Sequence, residues 1–325
     1  MADAVGMELV VRTGADGSFS LWSAAFQEGF HSGRGALREA RETFLAPSQL
    51  ERFPPGSLVR VVEMCAGTGG NAALLLEACA ARGLTLEWWG LELDRRPLAL
   101  ALASEAFRRP WQPSTLTALS ELLARGHWHG EGATARLLWG DARQTMRDLP
   151  GALPGPVDLV WHDAFSPRRC PQLWTLEHLQ ATTAPLAPEG RWISYSAAAA
   201  VRDSLRQLGL HLVALEVAAP GEHPTGRTLW SGGTVASPSP LASDSPASDS
   251  PTGDRPAAQP LWRELSLMER EHLRSAAGEP YRDPDGTDDA ATILARRSQA
   301  QRAALAAGAR GCSGAWRRRW GVERR

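Results

Sequence analysis

The chain has 325 residues, 43% hydrophobic and 22% charged, which is enough apolar material for a sizeable core and excludes wholesale disorder. Its 35 basic residues, all arginine, balance 36 acidic ones to a net charge of −1, so no global charge marks it for nucleic acid or a membrane surface. The four cysteines (Cys65, Cys79, Cys170, Cys312) form no C-x-x-C pair. With no secretory leader and no apolar run near the roughly 18 residues of a membrane span, the expectation is a soluble, cytoplasmic chain with free thiols, no membrane contact and no metal centre.

Residues 7–23 read as two short β runs around Asp16-Gly17, a hairpin turn signal. Residues 35–45 follow as a short amphipathic helix, with Ala36, Leu37, Ala40, Phe44 and Leu45 at helical spacing. Together they make an N-terminal extension over 1–57. From residue 58 to 236 the pattern alternates. Strands are predicted at 58–63, 86–92, 135–139, 157–161, 191–195 and 211–217, and helices at 71–81, 97–107, 176–187 and 197–208. This alternation predicts an α/β, doubly wound, mostly parallel sheet. Residues 111–132 read as an insertion, a helix around 115–123 and then a polar loop carrying His127-Trp128-His129.

Residues 237–260 repeat Ser-Asp-Ser-Pro and hold one large apolar residue, Leu241. Such a segment cannot repay its ordering entropy, and a disordered linker is predicted. Residues 261–325 read as a helical, arginine-rich tail. Ser266 and Glu269 form a capping-box pattern, and Asp288 is placed to cap a second helix running towards Leu305. Arg296 to Arg325 hold nine arginines and one acid. Trp316 and Trp320 among them suit contact with RNA by stacking, or with the protein's own body.

The most informative stretch is Glu63-Met-Cys65-Ala-Gly67-Thr-Gly69-Gly-Asn71, a strand entering a glycine turn and then a helix. Glycine lets a ligand approach the backbone, and the helix start offers free N–H groups. The spacing is not the Gly-x-Gly-x-x-Gly of dinucleotide sites. Glu63 at the strand end suits a ligand with a positive amino group and no phosphates, such as the methionine part of S-adenosyl-L-methionine. The second strand ends near Asp94, placed to accept ribose hydroxyls. The third ends in Gly140-Asp141, where the acid can meet an adenine amino group, cap the next helix, or do both. The fourth ends in Asp163-Ala-Phe165-Ser-Pro167. There Asp163 can accept a hydrogen bond from an amine, and Phe165 offers a face for stacking. His31 is a candidate for the substrate mouth, and Tyr195 for the target base.

Asp163-Ala-Phe165-Ser-Pro167, Pro171, Trp174-Thr175, Leu179, Gly190, Tyr195-Ser-Ala-Ala, Val201-Arg202 and Leu205 together resemble the MnmC-type methyltransferase domain. The glycine turn, Asp94 with Pro97-Leu98, Gly140-Asp141, the helix from Gly35 to Phe44 and Pro280-Tyr-Arg-Asp-Pro284 fit in the same order, the last suggesting a cyanobacterial-type member. The resemblance implies a seven-stranded Rossmann-like class I methyltransferase fold. It implies methylation of 5-aminomethyl-2-thiouridine at the tRNA wobble position to 5-methylaminomethyl-2-thiouridine, with S-adenosyl-L-methionine as cofactor. Glu63, Gly67, Gly69, Asn71, Asp94 and Asp141 would hold the cofactor. Asp163 would position the amine and take its proton. His31, Phe165, Trp174, Tyr195 and Arg202 would lie on the substrate side.

Bifunctional relatives carry a flavin oxidoreductase domain, so here that step is expected from a separate protein. Cys65 stands where many members have glycine, and its backbone is expected to avoid left-handed geometry. The basic element before the last strand is reduced to Arg227. A methyltransferase for another amine, or a non-catalytic RNA-binding module on the same fold, are the alternatives; a nicotinamide enzyme is disfavoured by the loop spacing.

Overall fold

The structure is a computed structural model that describes residues 8–216, 232–241 and 261–322. The N-terminal segment forms a three-stranded antiparallel sheet, β1 (Leu9–Thr13), β2 (Phe19–Ser23) and β3 (Glu28–Gly29). Asp16 fixes its turn by accepting from Ser18, and also takes the Arg38 N–H at 3.0 Å, which ties the hairpin to the helix Ala36–Glu39. That helix runs on into a π-helical stretch, Ala40–Leu45, whose Phe44 is fully buried.

The main sheet begins with β4 (Leu58–Met64). Val59 and Val61 enter one core and Val62 and Met64 the other, as a strand covered on both faces must. It continues through β5 (Thr85–Glu92), β6 (His127–Gly130), β7 (Ala133–Trp139), β8 (Val157–His162), β9 (Leu186–Ser194), β10 (His211–Leu215), β11 (Gly233–Ser237) and β12 (Trp262–Glu264). The spatial order is β12-β10-β11-β9-β8-β4-β5-β7-β6. Without its two edge strands this is a seven-stranded sheet, parallel from β7 to β9, with β11 running antiparallel between β9 and β10. The helices Gly70–Ala81 and Pro113–Arg125 cover one face, and Ala142–Asp148, Leu176–Thr183 and Ala199–Gln207 the other.

Three expectations change. The polar loop at His127–Gly130 is instead an antiparallel edge strand on β7, because half-buried Trp128 alternates with exposed His127 and His129. Ser237 is not linker but the buried end of β11, and Leu241 packs on the core; residues 242–260 of the predicted linker, and Arg227, lie outside the described residues. The second C-terminal helix, Ala290–Ala306, is capped by Asp289 rather than Asp288.

The C-terminal segment joins the body. β12 pairs with β10, and the capping box of Ser266 and Glu269 starts the helix Leu267–Arg274. Of the two partners open to the tryptophans, the structure supplies the protein's own body. Trp316 is buried on the helix Ser313–Trp320, donates to the Met268 carbonyl at 3.0 Å and stacks on His272. The Trp320 Nε1–H goes to Glu271. Arg202 is 1% exposed and pairs with equally buried Glu269 at 2.9 Å, donating also to Thr234 and to the Gly233 carbonyl. It therefore sits in an internal ion pair, away from any substrate face. Such a pair holds its elements together mainly because breaking it strands a charge, at about 3–5 kcal/mol.

Candidate active site

The cavity is built at the carboxyl ends of the parallel strands, where open α/β sheets bind ligands. β4 ends in the turn through Cys65, Gly67 and Gly69, all three at positive φ (63°, 54° and 78°). The expectation for Cys65 is thus overturned. The Cys65 and Ala66 N–H groups both donate to the Leu91 carbonyl at the end of β5, and this forces the left-handed bend despite a cost of about 1–2 kcal/mol for a residue with a side chain. The Gly67 N–H donates to Glu92 Oε2 at 2.8 Å, while Glu92 Oε1 accepts from Leu93 and Asp94. Glu92 therefore stitches the glycine turn to the second strand. In the sequence Glu92 is marked only as a second acid two residues before Asp94, and its bond to the turn is set by the fold.

A cavity of about 410 Å³ opens beside this turn, within the range of small-molecule sites. Gly67, Asp94, Asp141, Asp163, His31, Phe165 and Tyr195 line it, as do Glu92 and Arg143. Gly67 presents bare backbone there, and a Cβ would come to 3.4 Å from the Phe30 ring. Asp94 is held by Arg96 through both carboxylate oxygens, at 2.6–2.9 Å. Asp141 caps the helix Ala142–Asp148 and pairs with Arg143 at 2.7 Å. The cap and the cavity wall, both open from the sequence, are therefore one residue's two positions. Burial works to raise the Asp141 pKa, but the hydrogen bonds from Arg143 outweigh it and hold it below the usual range.

Glu63, Gly69, Asn71 and Trp174 lie behind the wall. Glu63 is wholly buried beneath the turn, where it accepts the Trp88 indole N–H at 2.9 Å. Burial pushes its pKa up to about 8, against the opposing pull of Trp88 and Asn71. Gly69 is packed under Leu98. The Asn71 amide donates to Asp163 Oδ2 at 2.9 Å and so orients that carboxylate. Trp174 is fully buried, and its N–H holds the Phe165 carbonyl at 2.7 Å. The Tyr195 hydroxyl does the same for the Ala164 carbonyl at 2.8 Å.

The opposite wall comes from the N-terminal segment. Phe26 stacks on Phe165 at 4.5 Å and Phe30 meets it edge-on at 5.1 Å. Glu28 accepts both the N–H and the hydroxyl of Ser166. Glu39, 7% exposed, lines the cavity and accepts the Ser32 N–H. Burial, reinforced by Glu39, pushes Asp163 well above the usual carboxylate range. His31 bonds Ser20 at 2.9 Å, and burial holds its imidazole below its usual range although Glu39 pulls the other way. Of these N-terminal contributors the sequence offers only His31 for the site, and Glu39 only as part of the helix from Gly35 to Phe44, because only the fold shows which short segment faces the sheet edge. Among the described residues, no three His, Cys, Asp or Glu side chains gather to hold a metal, and no helix is long and apolar enough to cross a membrane.

Carboxylates around aromatic and apolar walls, with a bare glycine turn and the nearest arginines already paired, suit a ligand that carries positive charge and no phosphate. S-adenosyl-L-methionine, with a sulfonium, an ammonium and a neutral adenosine, has that chemistry. Residues 107–220 match a family described as S-adenosyl-L-methionine-dependent methyltransferase. The chain is 31% identical over 261 residues to the tRNA 5-methylaminomethyl-2-thiouridine biosynthesis bifunctional protein MnmC of Chromobacterium violaceum. The match takes in 76% of this chain but spans only 37% of that relative's length. The crystal structure of MNMC2 from Aquifex aeolicus superimposes with a TM-score of 0.71 at 25% identity, covering 91% of this chain and 85% of that one. The chain carries an MnmC-like, S-adenosyl-L-methionine-dependent methyltransferase domain of the class I fold.

Proposed function

We propose that the protein methylates the amine of 5-aminomethyl-2-thiouridine at the tRNA wobble position, giving 5-methylaminomethyl-2-thiouridine. The observation that carries this reading is the pairing of Asp163 with an aromatic wall in one cavity. Phe165, Phe26 and Phe30 pack together as an aromatic wall for a planar base, and Asp163 and Glu39 are the carboxylates that can meet a cationic substituent. Gly67, Glu92, Asp94 and Asp141 are the residues to hold the cofactor, which supplies a methyl group already activated on sulfur.

The chain's own task is then alignment and proton management. A primary amine arrives mostly protonated and can attack only as the free base, so a carboxylate must take its proton. Asp163 is suited to this. Asn71 fixes one of its oxygens, and burial makes the group a stronger base than an exposed aspartate. Glu39 adds negative charge that holds the ammonium in place. The Ser166–Glu28 and Phe26–Phe165 contacts keep the loop closed against water. Arg168 and Arg169, exposed just after this loop, are available to the phosphates of a tRNA.

The test is transfer of labelled methyl from S-adenosyl-L-methionine to tRNA lacking its final wobble methylation, followed by nucleoside analysis. Label in 5-methylaminomethyl-2-thiouridine is expected. Cofactor binding with no label in tRNA would overturn the substrate and point to another amine.

A further inference from the structure

The Pro280-Tyr-Arg-Asp-Pro284 run has no part in the function so far. In the fold it is a strap that crosses behind the cofactor wall. Tyr281 is buried beside Thr175 and accepts the Leu176 N–H at 2.9 Å. The Asp283 N–H is held by Glu177 at 3.0 Å, and the Asp285 carbonyl accepts from Arg147 at 2.6 Å. Both fasten the strap to helices that flank the site.

The Asp283 side chain is wholly buried. Its Oδ1 accepts the N–H groups of Thr287 and Asp288, and its Oδ2 takes Arg143 Nη1 at 2.9 Å. Arg143 Nη1 also donates to the Asp288 carbonyl at 2.8 Å. The other edge of the same guanidinium, Nε and Nη2, grips Asp141 at 3.2 and 2.7 Å. Arg143 and Asp141 both line the cavity, whereas Asp283 does not. A planar guanidinium caught between two carboxylates has one orientation. Without Asp283 it would keep the local pair with Asp141, two residues away on the same turn, and a single bond to the Asp288 carbonyl, and would lose the second carboxylate that fixes its plane.

We propose that Asp283 is a positioning residue of the cofactor site: by clamping Arg143 it fixes the Asp141 carboxylate, so the C-terminal segment takes part in binding the adenosyl group. This rests on the reading that Asp141 meets that group. The clamp is rigid by construction, since Asp283 is anchored by two backbone N–H groups of its own turn and does not depend on a flexible partner.

The test compares Asp283→Asn, which keeps the shape and the backbone bonds, with Asp141→Asn and with Arg282→Ala, which removes only the exposed pair with Glu177. Calorimetry gives the affinity for S-adenosyl-L-methionine and for 5′-methylthioadenosine, which lacks the aminocarboxypropyl part. Methyl-transfer kinetics give KM for the cofactor and kcat. For Asp283→Asn the affinity for both ligands should fall by about ten-fold, the scale of one charged hydrogen bond. KM should rise in step, kcat at saturating cofactor should hold, and Arg282→Ala should match the parent. If Asp283→Asn lowers the melting temperature but leaves both affinities and KM unchanged, the strap is only a structural clip and the proposal fails. If Asp141→Asn also binds normally, the reading of Asp141 itself is wrong. Weakening by Asp141→Asn alone would overturn the clamp and leave Asp141 in the site.

Discussion

The N-terminal sheet and the C-terminal helices both pack onto the methyltransferase core, but only the first sends side chains into the cavity. Phe26, Glu28, Phe30, His31 and Glu39 line it, whereas no described residue after Tyr195 does. The N-terminal contacts are aromatic and directional, closing on the loop that carries Asp163. The C-terminal contacts, beyond the packing of Trp262, Tyr281 and Ile293 into the core, are ionic. Arg202 and Arg263 meet on Glu269, Arg310 meets Asp203 and Glu279, and Arg143 meets Asp283. The 36 acidic residues balance the 35 arginines in the sequence, and several of those arginines are paired internally, one segment against another. One appendage shapes what the site can accept, and the other holds the site still.

Breaking the ionic side should have the largest effect on stability. Glu269→Ala leaves Arg202 buried without its carboxylate, and should cost about 3–5 kcal/mol in urea unfolding. Acid gives the same result without mutation. Hydrogen bonds and charge from Arg263 and Arg202 outweigh burial and hold Glu269 at about 2, below its ordinary 4.5. A depressed folded-state pKa contributes stability that is present above the unfolded value and lost as pH falls. Stability should therefore decline from about pH 4.5 down to about pH 2, and the wild type should lose more over that interval than Glu269→Ala.

The aromatic side should respond in recognition instead. Phe26→Ala removes the stack on Phe165, and should raise KM for the acceptor by about five-fold, the value of an aromatic pair of roughly 1 kcal/mol, while cofactor affinity holds. An equal loss of cofactor affinity would mean that the N-terminal wall is not specific to the acceptor. The smallest effect lies in the turn between the two regions. Cys65→Gly relieves a left-handed side-chain residue and should raise stability by about 1 kcal/mol, read as a higher urea midpoint at unchanged slope.

Much of the core was legible because its signals are local. The strands carry period or run, their ends carry acids, and Asp141 and Asp163 stand where those ends predicted. What was not legible depends on direction or distance. Asp94 and Glu92 are two residues apart, and only the bond to the Gly67 N–H separates the stitching acid from its neighbour. Arg202 carries no local sign of its partner, because Glu269 lies 67 residues on. The edge strand at His127–Gly130 was too short and too polar to announce itself. Cys65 breaks the preference for glycine because two backbone bonds to Leu91 leave the chain no other path.

The most direct test of this site is Asp163→Asn, with methyl transfer and cofactor binding measured on the same preparation. Transfer should fall by about 10²–10⁴-fold, the contribution of a positioned proton acceptor, while the affinity for S-adenosyl-L-methionine stays close to that of the parent. Normal turnover by that variant would contradict the role given to Asp163 and, with it, the assignment of this cavity wall to the reacting amine.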